Sequence, residues 1–146
     1  MVMEMQLGQV LKRRVNSVTP DTLLTDAARQ MIARRTGTLA VCSDGRLVGA
    51  LTVHDLILRA TSERRDPSQA TVREVMNQKL AQCFQDQNLG EALRSMRKYH
   101  VTQAWIVDRD GRLLGSVSRR DVLLVLDEGG LHGPRANRAE SVNEAG

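Results

Sequence analysis

Gly49-Ala50-Leu51-Thr52-Val53-His54-Asp55 returns further along the chain as Gly115-Ser116-Val117-Ser118-Arg119-Arg120-Asp121, so that a G-x-x-[ST]-x-x-D pattern is written twice in 146 residues. Self-similarity at a fixed spacing marks a duplicated structural unit. The repeat extends outward from this stretch: Asp21 and Asp86, Leu24 and Leu89, Ala27 and Ala92, and Met31 and Met96 are each 65 apart. Gly45 and Gly111, Gly49 and Gly115, Thr52 and Ser118, and Asp55 and Asp121 are 66 apart. The one inserted residue falls where Cys42-Ser43-Asp44-Gly45 becomes Val107-Asp108-Arg109-Asp110-Gly111. That is a turn, where an extra residue moves no packed side chain to the wrong face.

Each copy reads as a lead-in strand, a helix, two strands and a second helix. Leu24, Ala27, Ala28, Met31 and Ile32 follow the i, i+3, i+4, i+7, i+8 spacing of an amphipathic helix, and Leu89, Ala92, Leu93 and Met96 repeat it. Asn88 followed by Glu91 predicts a capping box, and Thr22 is the expected cap of the earlier helix. The apolar runs Leu39–Cys42 and Leu47–Leu51 flank Asp-Gly, as do Ala104–Val107 and Leu113–Val117, which predicts a hairpin in each copy. The closing helices are expected over about Val53 to Ala60 and Arg119 to Leu126. Neither copy, of about 50 residues, can bury its apolar faces alone, so the two are expected to pack together about a pseudo-twofold axis. The expected class is α/β (α+β), with one repeat over 1–62, a polar linker over 63–71 containing Pro67, the second repeat over 72–127 and a mobile tail over 128–146.

Composition narrows the function. Hydrophobic residues make up 41% and charged residues 26%, which suits a globular core. Aromatics are only 2%, so a nucleic-acid surface of stacking rings is not expected. The net charge of +4 comes from scattered arginines without a helix-turn-helix or zinc pattern, and reads as a basic solvated surface. No apolar run has the length of a signal peptide or a membrane span, which makes a soluble cytoplasmic protein the expectation. Cys42 and Cys83 stand alone and read as small core residues, with no metal site. The absence of GxSxG, P-loop, GxGxxG and HExxH patterns, and the dispersal of His54, His100 and His132, argue against an enzyme.

The doubled corner has two readings. As a structural device, Thr52 or Ser118 caps the helix that follows and the aspartate complements its dipole. Because Asp is one methylene shorter than the usual Glu, it is expected to reach back poorly and to remain available to an outside hydroxyl. As a binding device, the same helix start favours a phosphate, the hydroxyl adds a donor, and an ionised Asp accepts both protons of a vicinal diol. Together these groups suit a ribose phosphate. Arg119, Arg120 and His54 stand beside them as candidate phosphate contacts or as parts of a solvated face.

In order, spacing and duplication the pattern resembles the CBS domain pair, or Bateman module, over about Val10 to Leu126. TPDTLLTDAARQM is similar to that family's entry into its first helix, and SDGRLVGALTVHDL and RDGRLLGSVSRRDVL are similar to its hairpin and ribose motif. The resemblance implies a regulatory, signal-transducing module whose two clefts take adenosine-containing ligands: AMP, ADP, ATP, NAD or S-adenosylmethionine. Carried over by position, it implies one cleft using Thr52 and Asp55 with Met76, Ala81, Val101, Thr102 and Gln103. The other uses Ser118 and Asp121 with Leu11, Asn16, Thr36, Gly37 and Thr38. It implies a homodimer and an unidentified target protein, with no required cofactor. Ala40 and Trp105 stand where the family often has proline. The alternative function is a dimerisation module with vestigial clefts.

Overall fold

A computed structural model describes residues 2–130. The expected tail lies outside the described residues from 131 onward, as does His132. The described chain forms two compact units, named here for the aspartate each carries. The Asp55 unit contains residues 14–80 and 111–113, and the Asp121 unit contains residues 2–13, 81–110 and 114–130.

In the Asp55 unit, β1 (Ser17–Val18) pairs in parallel with β2 (Thr38–Ser43), which pairs antiparallel with β3 (Arg46–Thr52) across the Asp44-Gly45 turn. Asp44 and Gly45 both have positive φ, 53° and 80°, the left-handed backbone that makes Asp-Gly a hairpin signal. α1 (Leu24–Arg34) packs its predicted stripe of Leu24, Ala27 and Met31 against Leu39, Val41 and Leu51 of this sheet. After β3 the chain turns into α2 (Val53–Asp55), widens into a π turn over Leu56–Ala60, and later forms α3 (Val72–Val75). Val72 and Val75 are fully buried in the same core.

The Asp121 unit repeats the plan. β4 (Ala81–Phe84) runs parallel to β5 (Gln103–Val107), and β6 (Leu113–Ser118) completes the sheet. α4 (Leu89–Tyr99) contributes Leu89, Ala92 and Met96 to a core with Ala104, Ile106, Val117 and Val122. Val122 comes from α5 (Arg119–Gly130). Truncating one of these buried leucines costs about 2–5 kcal/mol, so the repeated stripes contribute substantially to stability. Cys83 and Trp105 are buried and Cys42 is half-buried; burial pushes both thiols above their ordinary value. The expected α+β class is what the structure shows.

Two helix starts differ in how they are capped. At α4 the predicted box is present: Glu91 N–H donates to Asn88 Oδ1 at 2.9 Å, and Asn88 N–H donates to Glu91 Oε1 at 3.2 Å. At α1 the expected Thr22 cap is not. The Thr22 hydroxyl instead accepts from Thr19 N–H at 3.2 Å in the preceding turn. The first amides of α1 are taken by backbone carbonyls, Leu24 N–H donating to Ala70 at 3.0 Å and Thr25 N–H to Pro67 at 3.1 Å. Residues of the polar stretch before α3 therefore do the work of a cap, a long-range substitution that no local pattern encodes.

Candidate functional site

Both corners are built the same way. At the first, Thr52 is extended (φ −111°, ψ 162°) and its Oγ1 accepts from Asp55 N–H at 3.0 Å. Thr52 N–H in turn donates to Asp55 Oδ2 at 3.0 Å. At the second, Ser118 Oγ accepts from Asp121 N–H at 3.0 Å and Ser118 N–H donates to Asp121 Oδ2 at 3.3 Å. The expectation that a side chain as short as Asp reaches back poorly is corrected here. At each corner the cap residue's own N–H meets Asp Oδ2, at 3.0 Å for Thr52 and 3.3 Å for Ser118, so the shorter side chain suffices. Each carboxylate spends one oxygen on its cap and keeps Oδ1, and each corner is half-buried.

The glycine that opens each motif has a separate cause. A strand segment lies across β3 where Asn77 pairs with Ala50, exchanging N–H to O bonds of 2.8 and 2.9 Å. A side chain at Gly49 would place its Cβ 2.7 Å from Met76 Sδ and 3.2 Å from the Asn77 carbonyl oxygen. In the Asp121 unit Lys12 pairs with Ser116 by bonds of 2.8 and 2.9 Å. A Cβ on Gly115 would overlap the Leu11 side chain and the Lys12 carbonyl. The lead-in of each repeat thus lies over the corner sequence of the other repeat, within one unit in both cases. Arg59 fastens the segment at the first corner, donating to the carbonyls of Val75 and Met76 at 3.2 and 3.1 Å.

The sequence-predicted residues divide as follows. The Asp55 unit holds Thr52, Asp55 and Met76, whose sulfur adjoins Gly49, and also Asn16, Thr36, Gly37 and Thr38. Thr38 pairs with Thr52, and Val53 N–H donates to the Gly37 carbonyl at 3.0 Å, so this turn adjoins the Thr52 corner. Asn16 Oδ1 is occupied by Arg34 Nη1 at 3.0 Å, and Thr36 Oγ1 bonds the Thr38 backbone. The Asp121 unit holds Ser118, Asp121 and Leu11, together with Ala81, Val101, Thr102, Gln103, Arg119 and Arg120. Ala81 is buried at the start of β4; Thr102, Arg119 and Arg120 are exposed. Arg119 N–H donates to the Thr102 carbonyl at 2.8 Å, the counterpart of the Val53 to Gly37 bond.

Lys12 is a further candidate residue at the second corner that carries no signal in the sequence. Its Nζ lies 3.5 Å from Asp121 Oδ1, the oxygen not used by the cap. At the other corner Asn77 holds the equivalent place, 65 positions later, and turns its Oδ1 to Lys79 N–H at 3.0 Å. Asp55 Oδ1 has no partner among the described residues. No cluster of three or more metal-ligating side chains occurs among the described residues. No described helix is long and apolar enough to cross a membrane.

Each unit also carries a hollow between its two long helical segments. In the Asp55 unit an open apolar groove of about 500 Å³ is lined by Ala28, Met31, Ile32, Val53, Leu56 and Ile57, among others. Its Ile32 is 78% and its Ile57 59% exposed, unusual for side chains of this kind. In the Asp121 unit the hollow is about 260 Å³ and mixed in polarity, lined by Leu93, Met96, Arg97, His100, Val101 and Arg119.

Comparison with known proteins agrees with this architecture. The family model for the CBS domain matches twice, over residues 7–61 and 72–128. An uncharacterised protein of Methanopyrus kandleri is 26% identical over 120 residues, 82% of this chain and 61% of that protein's length. The CBS domain-containing protein YhcV of Bacillus subtilis is 32% identical over 109 residues, 75% of this chain and 76% of its own. Among solved structures, the CBS domain pair of protein MJ0100 in complex with 5′-methylthioadenosine and S-adenosyl-L-methionine superposes with a TM-score of 0.74. That match is 21% identical and covers 86% of this chain and 97% of the other.

Proposed function

The chain belongs to the CBS domain family, in two tandem copies, and from that premise we propose that it is a regulatory, non-catalytic module that binds an adenosine-containing small molecule. The observation that carries the reading is the matched pair of corners, each offering a helix start, a hydroxyl and one carboxylate oxygen beyond what its own cap uses. In this proposal Asp55 and Asp121 accept ribose hydroxyls, Thr52 and Ser118 stand at the phosphate side, and Met76 and Leu11 supply apolar contact. AMP, ADP, ATP, NAD and S-adenosylmethionine are the candidate ligands, bound as regulators and not as cofactors. The protein is taken to be cytoplasmic, with a target protein as its output and neither membrane nor nucleic acid as a partner.

Thermal unfolding with each candidate tests this. A ligand at 100 times its dissociation constant adds about 2.7 kcal/mol of stability. The expected result is a gain with at least one of the five that disappears in Asp55→Ala plus Asp121→Ala. A gain that survives both substitutions, or none with any candidate, overturns the reading.

A second reading, self-association with unused corners, is favoured by one observation: the exposed Ile32, Val53, Ile57 and Leu58 on the helices of the Asp55 unit. A homodimer fits either reading. Light scattering showing a dimer that forms without ligand and is unchanged by every candidate supports the second alone.

A further inference from the structure

The hollow of the Asp121 unit occupies the same place in its repeat as the apolar groove does in the other. Leu93 and Met96 replace Ala28 and Met31, 65 positions earlier. Around this shared apolar floor, however, Ile32 has become Arg97 and Val53 has become Arg119, and His100 joins them at the position of Arg35. The fold does not need the two arginines in the hollow, because the other repeat builds the same hollow with Ile and Val.

Their placement is unfavourable in isolation. Arg119 opens α5, the positive end of the helix dipole, where a cation is disfavoured. Arg97 and His100 face the same hollow, and no carboxylate lines it among the described residues. None of the three makes a side-chain hydrogen bond or ion pair among the described residues. The three side chains are exposed, while the backbone that carries two of them is fixed. His100 ends α4 in the left-handed conformation (φ 56°), and Arg119 N–H is fixed to the Thr102 carbonyl at 2.8 Å. Basic groups that line one hollow without a counter-charge suit an anion that is not part of the chain.

We propose that this hollow is a second ligand site, distinct from the two corners, and that it takes a small phosphate monoester with a short apolar group. A phosphate ester carries a charge of about −1.5 to −2 and three acceptor oxygens, matching three separate donors better than a carboxylate does. The floor of Leu93, Met96 and Val101 accepts the apolar group. The volume of about 260 Å³ is below the range of about 300–1,000 Å³ that holds drug-sized ligands, which favours a small ligand over a whole nucleotide.

Phenyl phosphate is the probe, with benzoate as its carboxylate control, titrated into the full chain at constant ionic strength and followed by amide and arginine side-chain NMR shifts. Saturable shifts centred on Arg97, His100 and Arg119 are expected, with benzoate about tenfold weaker. Arg97→Ile plus Arg119→Val, which copies the other repeat, weakens binding by at least about tenfold. Because these substitutions remove unpaired cations, the variant without ligand unfolds at the same temperature as the wild type or higher, which separates lost binding from lost folding. Asp55→Ala plus Asp121→Ala leaves this binding intact, so the site stands or falls independently of the nucleoside proposal. Shifts that grow linearly without saturating, that centre on Ser118 and Asp121, or that persist in the double arginine variant overturn the assignment. A phosphoserine peptide that binds more than tenfold tighter than phenyl phosphate overturns the small-molecule choice.

Discussion

At the Thr52 corner the strand laid over β3 presents Asn77, which keeps its side chain to itself; at the Ser118 corner the strand laid over β6 presents Lys12, which reaches to Asp121. The backbone around them is nearly identical: two exchanged N–H to O bonds, a glycine beneath, and an aspartate closing its own cap. The contrast separates what duplication preserves from what it leaves open. Backbone geometry is preserved because a cap or a close crossing fails outright when altered. The side chain over the carboxylate is open to change because nothing in the fold depends on it.

The comparison can be pressed first at the glycines. Gly115→Ala drives a Cβ into the Lys12 backbone, which cannot move without breaking its pairing with Ser116, and is expected to cost about 3 kcal/mol. Gly49→Ala meets the Met76 sulfur first, a flexible chain end, and is expected to cost about 1 kcal/mol. Urea unfolding of both variants measures the difference, and equal losses would mean that the two crossings are equally tight.

Next come the caps. Asp55→Ala and Asp121→Ala each remove a bond to a cap amide, and each is expected to lower stability by about 1 kcal/mol, the two adding when combined. A much larger loss at Asp121 would show Lys12 to be a stronger partner than its exposure implies. The smallest effect belongs to Lys12→Ala. With 63% of the Lys12 side chain exposed, the 3.5 Å pair is expected to contribute no more than about 1 kcal/mol, and less as salt rises. Denaturant midpoints of Lys12→Ala and the parent at low and high salt are expected to converge.

Much of this was legible in the sequence because its signals are local. The stripes of α1 and α4, the two Asp-Gly hairpins and the Asn88–Glu91 box each depend on residues within about eight positions of one another. The corners were legible for the same reason, although the reach of Asp55 and Asp121 to their cap amides was misjudged from side-chain length alone. What stayed hidden involves partners far apart in the chain. Thr22 looked like a cap because it precedes a helix, yet Pro67 and Ala70 supply the carbonyls. Lys12 carried no signal, since its importance arises only when residue 116 comes to lie beside it. Arg119 adjoins the Ser118 corner in sequence, but that adjacency does not reveal that it also lines the hollow with Arg97 and His100.

The crossed lead-ins also set the order in which the molecule can be completed. Lys12 is synthesised about a hundred positions before the strand it joins, which is not made until residue 116. That segment must therefore wait until the second repeat is made, and cutting the gene between the repeats would leave each fragment without one strand and with the other's spare. Two such fragments are expected to regain order only when mixed.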